Sequence, residues 1–354
     1  MASPIQTPIG ITYNGKLTKE YILIPALQTS GLDDFIKVLT AVKTKQQVSY
    51  VEPFTKITIK DPGCDSTPNN KQLTFREKFW DPQPVEAYMS ICYTDLYNTQ
   101  FEETLNGGTQ KPDLTGTPAE ELVLEALIEA ADNDLKRMFW LSNKAIIASN
   151  LTGGSAEVKN YNQVDGIWKR IKDAVTANLT PRYTISQNAA TTTAGQVLPD
   201  GEAKKILRQV YRKQKRKLKA MKATDKRFLV TRSIYDNYSE ELSGNDKLES
   251  SRAQLIDGTP TLKFEGILLE VLDVVDQALE EDFTFTNSGE TTTTELHRVV
   301  LTVKDNLQLS VDTDERNPVA FDSWYERKDK KQYARADYEL DTQIAREDLV
   351  SVAY

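Results

Sequence analysis

Histidine and cysteine are almost absent from this chain, which has one histidine and two cysteines among 354 residues. Zinc sites and hydrolase triads both depend heavily on histidine, so a single histidine, His297, supplies too few residues for most sites of either kind. Cys64 and Cys92 leave one disulfide open as an alternative, but so low a number is typical of a reduced, cytosolic protein. The two counts together argue against a zinc enzyme and against a disulfide framework.

Catalytic motifs are also missing. The chain has no glycine-rich phosphate loop, no dinucleotide-binding glycine pattern, no serine nucleophile elbow, and neither His-Glu-x-x-His nor Cys-x-x-Cys. Asp312, Asp314 and Glu315 lack the spacing and the glycine of a calcium-binding loop, so we interpret them as a solvated turn. We therefore predict no catalytic residue, no metal site and no cofactor. An enzyme of a motif-poor family that uses Asp and Glu stays open as an alternative.

Long apolar runs are missing as well. No stretch approaches the length that spans a bilayer, and residues 1–9 lack the basic and apolar regions of a secretory signal. The chain does contain 39% hydrophobic and 27% charged residues, which is the composition of a soluble globular protein with one large or two modest domains. Its net charge of −8 argues against a general nucleic-acid binder.

The first quarter of the chain predicts segments that need a partner surface. Residues 1–30 predict an arm with few apolar clusters, and residues 32–42 predict a short helix. Residues 54–80 predict a long β-hairpin, because apolar and polar residues alternate on both sides of a dense turn cluster at 61–70. A two-stranded ribbon is marginal alone in water, so it should pack on its own domain or on a neighbour. The residues that we expect at this contact are Ile57, Ile59, Lys60, Pro62, Asn69, Leu73 and Phe75.

The clearest helix signal opens at Thr117. Its hydroxyl can cap the first amides, Pro118 suits the first turn, and Glu120 completes a capping box. An apolar stripe follows, so we predict a helix over residues 118–142, roughly 37 Å long at the usual rise per residue. Nearer the N-terminus, apolar and polar residues alternate after Pro84, which predicts a strand.

The rest of the chain predicts a mixture of helices and strands. We predict a short helix from residue 167, a buried strand at 228–231 and a helix at 234–242. Residues 263–271 predict either a strand pair or one bent strand, and residues 281–295 predict a polar surface loop.

The C-terminal part is rich in predicted strands. Alternation at 299–303 and 307–311 around a Lys-Asp-Asn turn predicts a hairpin. A last strand at 333–340 places its alternate residues on one face. The fold class is α+β, with strands from both ends framing a central helical region.

One strong charge feature lies at residues 202–222, which predict a second long helix with an apolar stripe. Ten basic residues fall between 204 and 222 with no acidic residue among them. Contact with DNA or with a neighbour's acidic face is one interpretation, and a solvated helix face is the other. The basic residues that we expect to make such a contact are Lys204, Lys205, Arg208, Arg212, Lys213, Arg216 and Lys219.

The order of these segments resembles that of the major capsid proteins of tailed bacteriophages, of the Hong Kong 97 type. Residues 77–91 are similar to the family's passage from extended loop to peripheral sheet, 227–235 to its axial strand and helix, and 333–341 to its closing strand. The resemblance implies an α+β Hong Kong 97-type capsid fold with an N-arm, an extended β-hairpin loop, a long spine helix, and peripheral and axial domains. The implied boundaries are an arm with a short helix at 1–44, the extended loop at 45–82, a peripheral domain with the spine helix at 83–149, an axial domain at 150–295, and a closing β-segment at 296–354.

The resemblance also implies a function in assembly rather than catalysis. Subunits would form pentamers and hexamers that close into an icosahedral shell around double-stranded DNA, with the hairpin across an adjacent subunit and the arm under another. The implied partners are further copies of the chain, packaged DNA, and separate scaffolding, portal and decoration proteins. The implied location is the virion, assembled in the host cytoplasm. An encapsulin-like nanocompartment with a protein cargo stays open, and the contents of the particle would distinguish the two.

Overall fold

A computed structural model describes residues 35–42, 47–52, 58, 60, 74–96, 105, 107–108, 111–243, 252–254, 260–287, 290–313 and 322–354. The α-helices in these residues are α1 (Pro118–Leu141), α2 (Ile167–Thr176), α3 (Thr193–Gln196), α4 (Glu202–Lys213), α5 (Arg216–Ala220), α6 (Arg232–Ser243) and α7 (Asp273–Asp282). Short 3-10 turns include one at Glu347–Leu349.

The described strands form two large sheets and two hairpins. The five-stranded sheet contains β1 (Lys37–Leu39), β4 (Gln83–Cys92), β13 (Leu307–Val311), β14 (Asp322–Glu326) and β15 (Lys331–Ile344). The seven-stranded sheet has the order β5 (Arg182–Tyr183), β16 (Ser351–Ala353), β12 (Val299–Val303), β6 (Lys226–Val230), β9 (Ile267–Val271), β8 (Pro260–Phe264) and β7 (Arg252–Gln254). The hairpins pair β2 (Gln47–Glu52) with β3 (Thr74–Phe79), and β10 (Thr284–Asn287) with β11 (Glu290–Thr293).

Helix α1 forms where the capping residues predict it. The Thr117 side chain accepts a hydrogen bond from the Glu120 backbone N–H, and the Glu120 carboxylate accepts one from the Gly116 N–H at 2.6 Å. Leu135 and Met138 lie on the buried face, and the helix ends at Leu141. The predicted helix over 118–142 is confirmed to within one residue, because cap, proline and apolar stripe agree locally.

Four further local predictions are confirmed. β4 follows the predicted alternation, and β6 leads into α6 as the buried pattern at 228–231 predicts. β15 buries its alternate residues from Gln332 to Leu340 and runs four residues beyond the prediction, to Ile344. Residues 263–271 form the strand pair and not the bent strand, with a turn at Glu265 and Gly266 whose φ angles are both positive.

The short helix predicted at 32–42 is wrong for the residues that the structure describes. Residues 37–39 form β1, which runs parallel to β13. Phe35 and Val42 are buried, and the N–H groups of Ala41 and Val42 donate to the carbonyls of Thr313 and Val311. The apolar spacing fits a helix, but the backbone of β13 offers this segment tertiary hydrogen bonds that hold it extended.

The single helix predicted over 202–222 is also wrong, because the chain breaks into α4 and α5 at Gln214. Gln214 is extended and buried. Its Nε2 donates to the Tyr211 carbonyl at 2.7 Å, and its Oε1 accepts from Lys226 Nζ at 3.2 Å. A buried glutamine thus replaces a helical hydrogen bond, and the turn that follows places Leu218 in the core.

Two predictions about the last third need correction. The segment predicted as a surface loop at 281–295 begins with the end of α7 and continues as the β10–β11 hairpin, in which β-branched threonines form a strand. The hairpin predicted at 299–311 has both of its strands, but β12 pairs with β6 and β16 while β13 pairs with β1 and β15. Asn306 directs this change of sheet, since its side chain bonds Thr302 at 3.0 Å and the backbone of Arg346 at 2.9 and 3.1 Å.

The predicted hairpin at 54–80 is described near its base. Antiparallel pairing runs from Gln47 with Phe79 to Glu52 with Thr74, so the ribbon begins before the predicted first strand. The turn cluster at 61–70 lies outside the described residues, as do Ile57, Ile59, Pro62, Asn69 and Leu73. We use the name ribbon for β2 and β3.

Candidate functional site

The basic segment divides into residues that the fold uses and residues that it leaves to solvent. Lys204 pairs with Glu241 at 2.7 Å, Lys205 with Glu202 at 2.8 Å, and Lys217 with Asp348 at 2.7 Å. Two further lysines donate to backbone carbonyls: Lys213 to Arg182 at 2.9 Å and Lys215 to Asn178 at 3.3 Å. Internal partners therefore engage half of the ten cations in the segment.

The other five cations are exposed, and we call them the basic surface. In the described part of the chain, no carboxylate lies within ion-pair distance of any of them. The basic surface consists of Arg208, Arg212, Arg216, Lys219 and Lys222. Of the seven residues predicted at this contact, four belong to the basic surface, while Lys204, Lys205 and Lys213 have partners within the subunit. The role of these residues stays a prediction.

The base of the ribbon is anchored by Lys78. Its ammonium group pairs with the Glu347 carboxylate and donates to the Ile344 carbonyl, at the end of β15. Trp80 follows and is almost fully buried, while Phe79 between them is 55% exposed. Gln343 Nε2 donates to the Phe79 carbonyl at 3.4 Å. The ribbon is thus fixed to the five-stranded sheet at its base, and it pairs with no third strand among the described residues.

The predicted hairpin contacts are only partly visible. Lys60 is exposed, and Phe75 lies in β3 opposite Val51. The remaining five residues fall outside the described ranges, so their part in a contact stays a prediction.

Asp341 connects the ribbon base, α2 and β15. Its carboxylate accepts the Asp81 N–H at 2.9 Å and pairs with Arg170 Nη2 at 2.8 Å. Arg170 also donates to the side chains of Thr342 and Gln343 at 3.2 and 3.3 Å. Burial raises the pKa of Asp341, and the Arg170 charge opposes that rise without cancelling it. The junction is a buried ion pair with several hydrogen bonds.

The turn at Glu347–Leu349 joins the ribbon base to the basic segment. Glu347 holds Lys78, and Asp348 holds both Lys217 and Arg346. Burial acts to raise the pKa of Asp348, but hydrogen bonds from Arg346 and Lys217 outweigh it and lower the pKa overall. Two neighbouring carboxylates therefore fasten the ribbon and α5 to one short turn.

An aromatic cluster lies on the open face of the five-stranded sheet. The ring centroids of Tyr88, Trp324 and Tyr333 lie 5.6 to 6.4 Å apart, with planes within 20° of parallel. Tyr88 is half exposed. Stacked rings at a surface combine a large apolar area with low side-chain entropy, which suits a contact with another molecule.

His297 has a packing role in this structure. Its Nδ1 lies 2.8 Å from Ser233 Oγ, and its Nε2 lies 2.6 Å from the Gln196 carbonyl oxygen. The side chain is almost fully buried, and burial lowers its pKa, although the Gln196 carbonyl acts to raise it. This Ser–His pair lies between α3 and α6 and joins the two helices through the buried histidine. The described residues contain no group of three side chains that could hold a metal ion.

Sequence reasoning missed the ribbon base, the Asp341 junction and the aromatic cluster. Each brings together residues far apart in the chain, such as Lys78 with Glu347 and Tyr88 with Trp324. Alternation could have placed Tyr88 and Tyr333 on the open faces of their strands, but only the register of β4 against β15 brings them together. Within the described ranges, no helix combines the length and apolar character needed to cross a membrane.

No protein-family model matches the chain, and no curated protein matches it. Among solved structures, the chain is similar to one in the satellite phage P4 procapsid with its size determination (Sid) protein, with a TM-score of 0.56 and 9% identity. That match covers 98% of this chain and 92% of the other. A chain in the capsid of cyanophage P-SCSP1u gives a TM-score of 0.53 and 12% identity over 99% and 92% of the two chains. The chain therefore has the fold of phage capsid proteins, and the predicted Hong Kong 97-type α+β fold is confirmed.

Proposed function

We propose that this chain is the major capsid protein of a tailed bacteriophage and builds an icosahedral shell of pentamers and hexamers around double-stranded DNA. The observation that carries the proposal is the fold shared with two phage capsid chains over almost the whole length of each. An enzyme with this fold would need an accessible catalytic group, and the histidine of the Ser233–His297 pair is almost fully buried. The chain acts by assembly in the virion, after folding in the host cytoplasm.

The ribbon is the part that reaches another subunit in this proposal. A two-stranded ribbon is marginal alone in water, and β2 and β3 pair with no third strand in the described part of the chain. The aromatic cluster on the open sheet face is the surface that a neighbour's ribbon covers. Many such modest contacts add through symmetry to a stable shell. Separate scaffolding, portal and decoration proteins are the further partners of this assembly route.

Negative-stain electron microscopy of the purified chain tests the proposal directly. The expected result is closed particles of uniform size that contain nuclease-protected DNA when the phage packaging proteins are present. Particles that hold a protein cargo instead would support the encapsulin-like alternative, and a small oligomer under all conditions would contradict both shell functions.

A deletion separates folding from assembly. Removing residues 61–70, the predicted turn cluster, should leave a folded subunit that no longer closes shells, because the proposed contact of the hairpin with an adjacent subunit is lost. Circular dichroism and the urea midpoint report folding, and micrographs report assembly. Normal shells from the deletion variant would sink the proposed role of the hairpin.

A further inference from the structure

The cations of the basic segment are sorted by residue type. All five that internal partners engage are lysines, and all three arginines belong to the exposed basic surface. Lysine is a compact point charge that a single carboxylate or carbonyl can satisfy. Arginine presents a planar fork of donors that matches the two oxygens of a phosphate or carboxylate. The chain therefore places its fork-shaped donors where the described part of the fold offers no carboxylate within ion-pair distance.

The basic surface carries unbalanced charge. Arg208 and Arg212 are four residues apart on α4, so they repel each other across one helical turn, and Arg216 follows on α5. No acidic residue occurs between 204 and 222 that could offset them. In a chain with a net charge of −8, such a concentration is expected to find its counter-charge outside the subunit.

The surface lacks the features of a protein interface. Stable interfaces are depleted in charge at their centre and carry aromatic and apolar side chains there. Between residues 204 and 222, Met221 is the only exposed large apolar side chain. An acidic neighbour would also have to hold its carboxylates in fixed positions against each fork. A phosphate backbone needs no such register, because it presents about one charge per 1.7 Å of duplex.

We propose that the basic surface binds the phosphate backbone of the enclosed DNA without reading its sequence. Arg208, Arg212 and Arg216 each pair with phosphate oxygens, and Lys219 and Lys222 extend the contact as point charges. This inference rests on the proposed shell function, which supplies the DNA. It also assigns the exposed side of α4 and α5 to the inside of the shell.

A matched pair of triple variants tests the inference. R208Q/R212Q/R216Q removes three cations of the basic surface, and R327Q/K328Q/K330Q removes three exposed cations from the β14–β15 turn. The probe is a short, fluorescent, mixed-sequence DNA duplex, titrated against the unassembled fraction of each full-length protein at several salt concentrations. The first triple variant should bind the duplex at least about tenfold more weakly than the unmodified protein. Its slope of log K against log salt should be shallower by about three, because each neutralised phosphate contributes roughly 0.9 to that slope. The second triple should bind like the unmodified protein.

The outcomes separate DNA binding from shell formation. Equal affinity and slope for the two triples would overturn the phosphate site. Loss of shells in the first triple, with its DNA binding unchanged, would assign the basic surface to a neighbouring subunit and also overturn it. The urea midpoint checks that both triples fold, which we expect because the substituted side chains are exposed. Micrographs of the unmodified protein test the shell function separately, so its failure is visible whatever the duplex titration gives.

Discussion

The seven-stranded sheet and the ribbon represent two opposite ways of building with strands. Every residue of β12 is buried, and both of its edges are hydrogen-bonded, to β6 and to β16. The ribbon has one described partner strand for each of its strands, and it meets the rest of the subunit at Lys78 and Trp80. The sheet is stable through contacts inside the subunit, whereas we propose that contacts with another subunit stabilise the ribbon. Substitutions should therefore affect folding in the first region and assembly in the second.

The largest expected effect is in the sheet. Phe228 of β6 is fully buried, and its ring meets Phe264 edge-on at 5.9 Å. Phe228→Ala leaves a cavity among fixed neighbours and should lower the free energy of unfolding by about 3 to 5 kcal/mol in urea titrations. Phe79→Ala in the ribbon is the control, since that ring is mostly exposed, and we expect a change under about 0.5 kcal/mol. Similar losses of stability from the two substitutions would contradict the proposed difference between the sheet and the ribbon.

The next effect tests the Asp341 junction, which connects the ribbon base with α2 and β15 of the five-stranded sheet. Arg170→Met leaves the Asp341 carboxylate buried without its ion-pair partner, so it should lower the free energy of unfolding by about 2 to 3 kcal/mol. The loss stays at the low end for a buried pair because the Arg170 side chain is partly exposed. Adding Asp341→Asn should recover part of this loss, since the uncompensated charge is then gone. Lys169→Met, on the same helix, breaks an exposed pair with Asp173 and should cost less than about 0.5 kcal/mol. Equal urea midpoints for Arg170→Met and Lys169→Met would show that burial of Asp341 does not matter.

Local signals in the sequence predicted much of this architecture. The cap at Thr117, the proline after it and the apolar stripe fix α1 without any tertiary information. Alternation likewise predicted β4 and most of β15, because each packs one face on the core. Residues next to each other in the chain therefore determine where these elements begin and end.

Pairing and long-range contacts could not be predicted in the same way. Alternation shows that β12 and β13 are strands, but their separation into two sheets depends on Asn306 meeting Arg346 forty residues later. The break before α5 depends on the bond from Lys226 to Gln214, and β1 depends on the backbone of β13. For the same reason, the basic segment was visible in the sequence, but its division into engaged lysines and exposed arginines was not.

A pH-dependent effect on stability should appear at Asp276, on α7. Asp276 Oδ2 accepts the Arg232 N–H at the start of α6, and burial raises the pKa of this carboxyl from 3.8 to about 7. The folded protein then keeps a proton that the unfolded chain has released, so the stability contributed by Asp276 falls as the pH rises from about 4 to 7. Asp276→Asn keeps a hydrogen-bond acceptor without the charge, so the unfolding free energy of this variant should lack the decline. The decline amounts to at most about 1.4 kcal/mol per pH unit, and urea titrations at several pH values measure it.

The neighbouring Asp273 provides the control for this titration. Asp273 lies on the same helix but is exposed, and it pairs loosely with Arg232 at 3.3 Å. Asp273→Asn should therefore keep the decline with pH, reduced only by the part of the raised Asp276 pKa that the Asp273 charge contributes. If Asp276→Asn kept the decline too, the titration would belong to another group.

The smallest expected change in stability should accompany a large change in assembly. Lys78→Met removes the pair with Glu347 and the bond to the Ile344 carbonyl at the ribbon base, and should lower the unfolding free energy by about 1 kcal/mol or less. The ribbon would then lose its fixed direction, so micrographs should show few closed shells. Lys136→Met breaks a comparable pair with Asp132 on α1 and should leave shell yield unchanged. Intact shells from Lys78→Met would mean that the ribbon is oriented by the neighbour that it reaches and not by its own base.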